Sequence, residues 1–233
     1  MGFGPDDSGI LEFKTEKEAE EYLNELGPKF KYGCYRQGDP AYCHSLARWL
    51  ASHKRDYRQS EEVFHQNCFQ RQFSESCTVY AFYKLFGASG IKRNAKQAFE
   101  ALKFGCDTGE NAKCCQGAGE LILEGVDENK NQKERVADAM NYFTRGCDLG
   151  LPISCFFLGG LSHRQLKATG LTDPSERSQL QHSAVIAWVK ACHMAGHELA
   201  CRNAALAYRL GYGVERNESK AIELEKLIEK RSS

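Results

Sequence analysis

The chain contains 233 residues, in which 31 lysines and arginines are balanced by 31 aspartates and glutamates, so its formal net charge is zero. This balance provides neither the basic stripe of a nucleic-acid-binding protein nor a charge excess that favours acidic substrates or anionic lipids. No apolar run approaches the about 18 residues that a membrane-spanning helix needs. Only five prolines, together with many Ala, Glu, Lys and Leu residues, favour an all-α fold.

The N-terminal region predicts a tail followed by a helix. Residues 1–12 are expected to form a flexible N-terminal tail, and they lack the apolar core of a secretory signal and the Arg-rich character of a matrix presequence. The following segment, KEAEEYLNELG, places Ala19, Tyr22 and Leu23 on one helical face, and Thr15 is positioned to cap that helix.

A frame built on two cysteines then recurs along residues 13–233. In the segment that contains Cys147 and Cys155, Phe143 stands four residues before the first cysteine and Gly159 four residues after the second. The first of these positions is large and apolar in every copy, and the second is Gly or Ala. The five copies are centred on Cys34/Cys43, Cys68/Cys77, Cys106/Cys115, Cys147/Cys155 and Cys192/Cys201. An internal repeat of this length predicts a single α-solenoid of about five αα-hairpins, related to tetratricopeptide repeats.

The segments between the cysteine pairs predict the connecting helices and loops. We expect Asn94 and Asn217 to cap helices and Gly87 to end one. The charged insertion at 126–135 precedes a helix from about Val136 to Arg145. The longest departure from the repeat runs over residues 163–183, and its segment LTDPSERS, residues 171–178, predicts a solvated loop or a short extra turn. The last helix is more charged than the others, with Glu225 at an otherwise apolar position, as a polar end cap requires.

The eleven cysteines favour disulfides over zinc, because no C-x2-4-C knuckle is present. The two sides of a tight helical turn are close enough for a bridge. The expected disulfides are Cys34–Cys43, Cys68–Cys77, Cys106–Cys115, Cys147–Cys155 and Cys192–Cys201. Cys115 fits the repeat, which leaves Cys114 as the free thiol; a Cys106–Cys114 bridge, with the closer spacing of Cys147 and Cys155, stays open as the alternative.

Few other residues suggest chemistry. Cys114 is a candidate redox thiol, and His193, Met194 and His197 are candidate axial ligands of a non-covalent haem. Ser89 and Lys92 fit the S-x-x-K motif of penicillin-recognising enzymes, although turn geometry explains that loop equally well. No catalytic set and no metal-ligand cluster is predicted.

The paired cysteines, the Gly or Ala four residues further on, and loops such as LGYGVERNESKA resemble the cysteine-rich Sel1-like repeat family, known from the Helicobacter cysteine-rich proteins. Within it, FKYGCYRQGDPAYC, YFTRGCDLGLPISCFFLGG and KACHMAGHELAC look like the animal cytochrome c oxidase assembly factors. The resemblance implies a disulfide-stapled αα solenoid in the mitochondrial intermembrane space, imported without a presequence by the disulfide relay of that compartment. It also implies β-lactamase-like activity or penicillin binding in bacterial members, and haem and thiol chemistry in the assembly factors.

The leading hypothesis is therefore a non-catalytic scaffold in oxidase assembly that presents a concave face to a client protein. Two alternatives remain open at the level of the sequence. One is a thiol–disulfide oxidoreductase or haem-binding protein that acts on copper-chaperone clients. The other is a secreted or cytosolic repeat scaffold with weak β-lactam binding.

Overall fold

The computed structural model describes Phe13 and residues 15–87, 90–168 and 173–232; the predicted tail at 1–12 lies outside the described residues. Within these ranges the chain forms eleven α-helices and no β-strand, which confirms the predicted all-α class. The helices are α1 Glu16–Tyr35, α2 Pro40–Ser52, α3 Tyr57–Phe69, α4 Ser74–Phe86, α5 Ala95–Asp107, α6 Ala112–Glu124, α7 Gln132–Asp148, α8 Pro152–Ala168, α9 Pro174–Ala195, α10 Glu198–Leu210 and α11 Glu218–Ser232.

Successive helices pack as antiparallel hairpins, each against the next along the chain. In the first hairpin, the Cα atoms of Cys34 and Cys43 lie 4.4 Å apart at the turn. At the opposite end of the same hairpin, the indole nitrogen of Trp49 donates a hydrogen bond to the carbonyl of Leu23 at 2.7 Å. The odd-numbered helix therefore leads into each turn and the even-numbered helix leaves it, with α11 packed against α9 and α10 at the end.

The predicted helix ends are confirmed where the structure describes them. The side chains of Thr15, Asn94 and Asn217 accept hydrogen bonds from backbone nitrogens of the following turn at 3.2, 3.0 and 2.9 Å. Gly87 ends α4 with φ of +74°, a left-handed value that a residue with a side chain adopts only under strain. Local turn chemistry therefore sets these boundaries.

Two other boundaries differ from those expected. Helix α7 begins at Gln132, inside the charged insertion, because Asn131 and Glu134 form a capping box that starts the helix about one turn early. The expectation of a solvated loop or a short extra turn at LTDPSERS is wrong from residue 174 onward, where the chain is helical. Helix α8 continues to Ala168 and α9 begins at Pro174, with the Asp173 carboxylate capping the nitrogen of Ser175 at 2.8 Å. The departure therefore lengthens two helices, and only residues 169–172 between them lie outside the described part.

The large and small positions of the repeat meet across repeat boundaries. A methyl group added at Gly119 would lie 2.7 Å from the Phe143 ring of the next repeat, and one added at Gly159 would lie 2.4 Å from the Trp188 indole. Such distances are too short for a real carbon contact. The glycine therefore provides the recess into which the large residue of the following repeat packs.

The last helix carries the charged side chains expected of an end cap. Arg209 of α10 donates two hydrogen bonds to the Glu225 carboxylate, at 2.6 and 2.8 Å, and a third to Glu218 at 2.9 Å. None of the helices in the described ranges is both long and apolar enough to cross a membrane.

Candidate functional site

Each of the five hairpins has one disulfide at its turn, and this bridge joins its two helices. Their Cα–Cα distances lie between 4.4 and 4.7 Å, and all ten half-cystines are buried. The bridges are Cys34–Cys43, Cys68–Cys77, Cys106–Cys115, Cys147–Cys155 and Cys192–Cys201. In the chain-entropy model, a bridge that closes a loop of this size stabilises a protein by about 2–3 kcal/mol. Each bridge therefore matters, because a hairpin packs mainly against its neighbours along the chain.

Cys114 is the free cysteine, and it is completely buried. Its sulfur lies 3.2 Å from the Thr78 hydroxyl and 3.4 Å from the carbonyl of Ser74, both on α4. Burial raises the pKa of the Cys114 thiol to about 11, and the nearby Glu75 carboxylate adds to that rise while the Thr78 hydrogen bond opposes it. Because the thiolate is the reactive form of cysteine, this thiol is a poor nucleophile at neutral pH.

The position of Cys114 in the repeat explains its contacts. It directly precedes the second cysteine of its pair, and in the neighbouring repeats that position is Ser76 and Ser154. The residue that follows the second cysteine of one repeat contacts this position in the next. The three pairs are His44 Nδ1 with Ser76 Oγ at 2.9 Å, Thr78 Oγ1 with Cys114 Sγ at 3.2 Å, and Ser154 Oγ with Gln116 Oε1 at 2.6 Å.

These pairs form a polar ladder that couples the even helices α2, α4, α6 and α8. The sequence did not reveal the ladder, because its partners lie 32 to 38 residues apart along the chain. Aligning the repeats would have placed Cys114 at a position that is serine in the two neighbouring repeats, and that was the signal available.

An open groove of about 570 Å³ runs beside this ladder. It crosses the turns of the second, third and fourth hairpins and mixes carboxylates, a lysine and apolar side chains. Its lining comprises His44, Ser74, Glu75, Thr78, Val79, Gly109, Glu110, Asn111, Ala112, Lys113, Leu149, Gly150 and Leu151. Extended surfaces that cross several repeats are the surfaces that solenoid proteins use for binding. This groove is the candidate functional site.

The candidate haem ligands lie together at the turn between α9 and α10. Met194 packs with its sulfur 4.0 Å from the sulfur of Cys155. The His197 ring stacks on Phe156 at 4.5 Å, and its Nδ1 accepts a hydrogen bond from the backbone of Ala200 at 3.3 Å. His193 is exposed in the last turn of α9. In this structure Met194 and His197 pack against the turn and His197 caps α10, so the haem site stays a prediction from the sequence.

The structure describes the S-x-x-K motif only in part. Ser89 of the S-x-x-K motif lies outside the described residues, whereas Lys92 is exposed. Across the described ranges, His, Cys, Asp and Glu side chains nowhere gather in threes that could hold a metal ion.

Comparison with known proteins gives the fold and the family. A Sel1 repeat protein from Oxalobacter formigenes superposes with a TM-score of 0.68 over 92% of this chain and 82% of its own, at 16% identity. A protective antigen of uropathogenic Escherichia coli with an SLR fold superposes with a TM-score of 0.62 over 96% of this chain and 47% of its own, at 18% identity. These likenesses confirm the predicted solenoid of Sel1-like repeats.

No family model matches the chain, but curated relatives match it over most of its length. Cytochrome c oxidase assembly factor 7 of Xenopus tropicalis is 30% identical over 219 residues, covering 93% of this chain and 90% of the relative. The Drosophila melanogaster homologue is 28% identical over 241 aligned positions, with the same coverage, and the Danio rerio protein is 31% identical over 156 residues, covering 66% of this chain. The chain belongs to the cytochrome c oxidase assembly factor 7 family.

Proposed function

We propose that this chain assists the assembly of cytochrome c oxidase in the mitochondrial intermembrane space, where it acts as a protein-binding repeat scaffold. The observation that carries the proposal is the match to relatives named for this assembly role over 93% of the chain. The match extends through all five stapled repeats, so it concerns the whole solenoid.

The disulfides support the choice of compartment. Bridges persist in oxidising spaces and are rare in the cytosol. Five buried bridges require oxidation during folding, which fits import by the disulfide relay of the intermembrane space. Oxidative folding would then retain the chain after import.

The groove and the buried thiol support a scaffold over an oxidoreductase. The groove offers Glu75, Glu110 and Lys113 beside apolar side chains, a mixture suited to a polar protein segment. Cys114 lies beneath this surface with its pKa raised to about 11 by burial, so it is badly placed to attack a client disulfide.

Complementation tests the assembly role. Cells that lack the protein should contain less assembled oxidase on native gels, while respiratory complexes I and III remain, and the wild-type chain should restore the oxidase. Equal loss of all the complexes, or no loss, would contradict the proposal. The location is tested on isolated mitochondria: added protease should digest the protein after the outer membrane is ruptured, but not before.

A charge reversal tests the groove separately. The double variant E75R/E110R changes two exposed carboxylates of the lining, and E124R changes an exposed carboxylate on α6 outside it. Both proteins should fold with unchanged helicity. We expect E124R to restore oxidase assembly and E75R/E110R to fail; full rescue by both would place the client elsewhere on the solenoid.

A further inference from the structure

A second, smaller pocket lies between α3 and α5. It has a volume of about 230 Å³ and is lined by His65 and Phe69 of α3, Tyr80 of α4, and Gln97 and Glu100 of α5. Since one water molecule occupies about 30 Å³ of liquid, the space suits the end of one long side chain.

Aromatic rings form the walls of this pocket. The Tyr80 ring is met edge-on by His65, with centroids 5.1 Å apart, and by Phe69, with centroids 6.1 Å apart. Phe104 packs behind Phe69 at 5.2 Å. Tyr80 is buried, with 4% of its surface exposed, whereas His65 is exposed. Because the face of an aromatic ring is negative, such a cluster attracts cations.

Carboxylates make the pocket more negative still. Burial, and then the charges of Glu61 and Glu100, raise the pKa of Tyr80 to about 12, so both carboxylates act on the ring. Glu61 is paired with Lys84. Glu100 is exposed, and in the ranges that the structure describes neither a lysine nor an arginine lies within ion-pair distance of it.

The protein already places one cation against this ring. The Lys84 ammonium lies 5.4 Å from the Tyr80 centroid, and its side chain is only 13% exposed. Lys84 does not line the pocket. The Tyr80 ring, together with the paired Glu61 carboxylate, therefore accommodates a largely desolvated positive charge. The pocket beside it offers an aromatic wall and a different carboxylate, that of Glu100, to an outside group.

We propose that the pocket lined by His65, Phe69, Tyr80, Gln97 and Glu100 binds a basic side chain, the ammonium of a lysine or the guanidinium of an arginine, presented by a partner protein. This inference rests on the proposed scaffold function and names the chemistry that one of its surfaces recognises. The carboxylate of Glu100 supplies the counter-charge and the rings supply the cation–π contact. An apolar side chain would fill the same space but would gain no attraction from the Glu100 carboxylate.

Small probes distinguish these occupants. The full-length oxidised protein is titrated with choline chloride, with N-acetyl-arginine amide, and with 3,3-dimethylbutan-1-ol, the uncharged isostere of choline, at constant ionic strength. We expect both cations to shift the amide NMR signals around Tyr80 and Glu100 in a saturable way at millimolar concentrations, while the alcohol does not. Equal binding of the alcohol, or cation-induced shifts only elsewhere, would overturn the proposal.

Variants give the quantitative test. Glu100→Gln and Phe69→Leu should each weaken choline binding by about twofold to fivefold, the range expected for one exposed cation–π or charge contact. Glu124→Gln, an exposed helix carboxylate outside the pocket, is the matched control and should leave binding unchanged. Equal loss in Glu100→Gln and Glu124→Gln would refute a specific site. Such a result would leave the scaffold function standing, because complementation measures that function independently.

Discussion

The hydroxyl of Thr78 lies 3.2 Å from the sulfur of Cys114, and this contact joins the second repeat to the third. In the adjoining contacts of the ladder, Ser76 and Ser154 occupy the position that Cys114 takes. The odd cysteine of the chain is therefore a polar packing residue at a serine position. An unpaired cysteine was the main reason, in the sequence, to expect thiol catalysis, and the burial of Cys114 removes that reason.

Replacement of Cys114 by serine should be mild. The serine hydroxyl would keep the hydrogen bond to Thr78, so we expect the free energy of unfolding to change by less than about 1 kcal/mol. Cys114→Val, which leaves the Thr78 hydroxyl without that partner, should lose about 1 kcal/mol or more. Denaturant unfolding of the oxidised proteins measures both values, and a larger loss in Cys114→Ser than in Cys114→Val would contradict the polar role.

Alkylation tests the same thiol without a substitution. Iodoacetamide should modify native Cys114 far more slowly than a small free thiol, because the sulfur is buried and protonated, and denaturant should abolish the protection. Rapid modification of the native protein would contradict the burial of this side chain.

Two adjacent glycines in α8 provide a matched test of the packing between repeats. A methyl group at Gly159 would meet the Trp188 indole at 2.4 Å and the carbonyl of Ala184 at 2.9 Å, whereas one at Gly160 would meet nothing within 4 Å. We therefore expect Gly159→Ala to destabilise the fold by about 1–3 kcal/mol through overpacking. Gly160→Ala should be neutral, or stabilising by up to about 1 kcal/mol, because alanine favours helix. Thermal unfolding should separate the two variants, and equal melting temperatures would refute the proposed recess.

The first contact of the ladder predicts a pH dependence of stability. Burial lowers the pKa of His44 below 6.5, and the charge of Arg48 lowers it further, while Glu75 opposes them. The His44 imidazole therefore binds a proton more readily in the unfolded chain than in the native protein. The stability linked to His44 is present above about pH 6.5, the ordinary histidine pKa, and is lost as the pH falls through its lower native pKa.

The variant His44→Gln tests this linkage, since glutamine can still hydrogen-bond to Ser76. Its unfolding midpoint should fall less between about pH 7.5 and pH 5.5 than that of the wild type. His193→Gln, at an exposed position, controls for the removal of a histidine as such. If the unfolding midpoint of His44→Gln falls as much as that of the wild type over this pH range, His44 is not the source of the pH dependence.

Much of the fold follows from local signals and from repetition. The caps at Thr15, Asn94 and Asn217 depend on short-range chemistry, and the paired cysteines mark the turns, so both could be placed from the sequence. The error at LTDPSERS, residues 171–178, has a local cause. The Asp-Pro pair in LTDPSERS indicates a turn, but an N-cap aspartate followed by proline is also a helix start, and here Asp173 and Pro174 begin α9.

The candidate surfaces were less predictable, since they depend on contacts between repeats. The groove combines turns from three hairpins, and the smaller pocket combines His65 and Glu100, which lie on different odd helices around Tyr80. No spacing within one repeat indicates that these side chains meet. The haem candidates at His193, Met194 and His197 were conspicuous because they are close in sequence, yet two of them serve the turn itself.

The disulfide map of the native protein tests the stapled scaffold and its oxidising compartment most directly. The chain should be isolated from mitochondria with immediate alkylation of free thiols and then digested without reduction. We predict five local bridges, Cys34–Cys43, Cys68–Cys77, Cys106–Cys115, Cys147–Cys155 and Cys192–Cys201, with Cys114 as the alkylated residue. A Cys106–Cys114 bridge would contradict the assignment of the free thiol, and alkylation of all eleven cysteines would contradict both the stapled scaffold and its oxidising compartment.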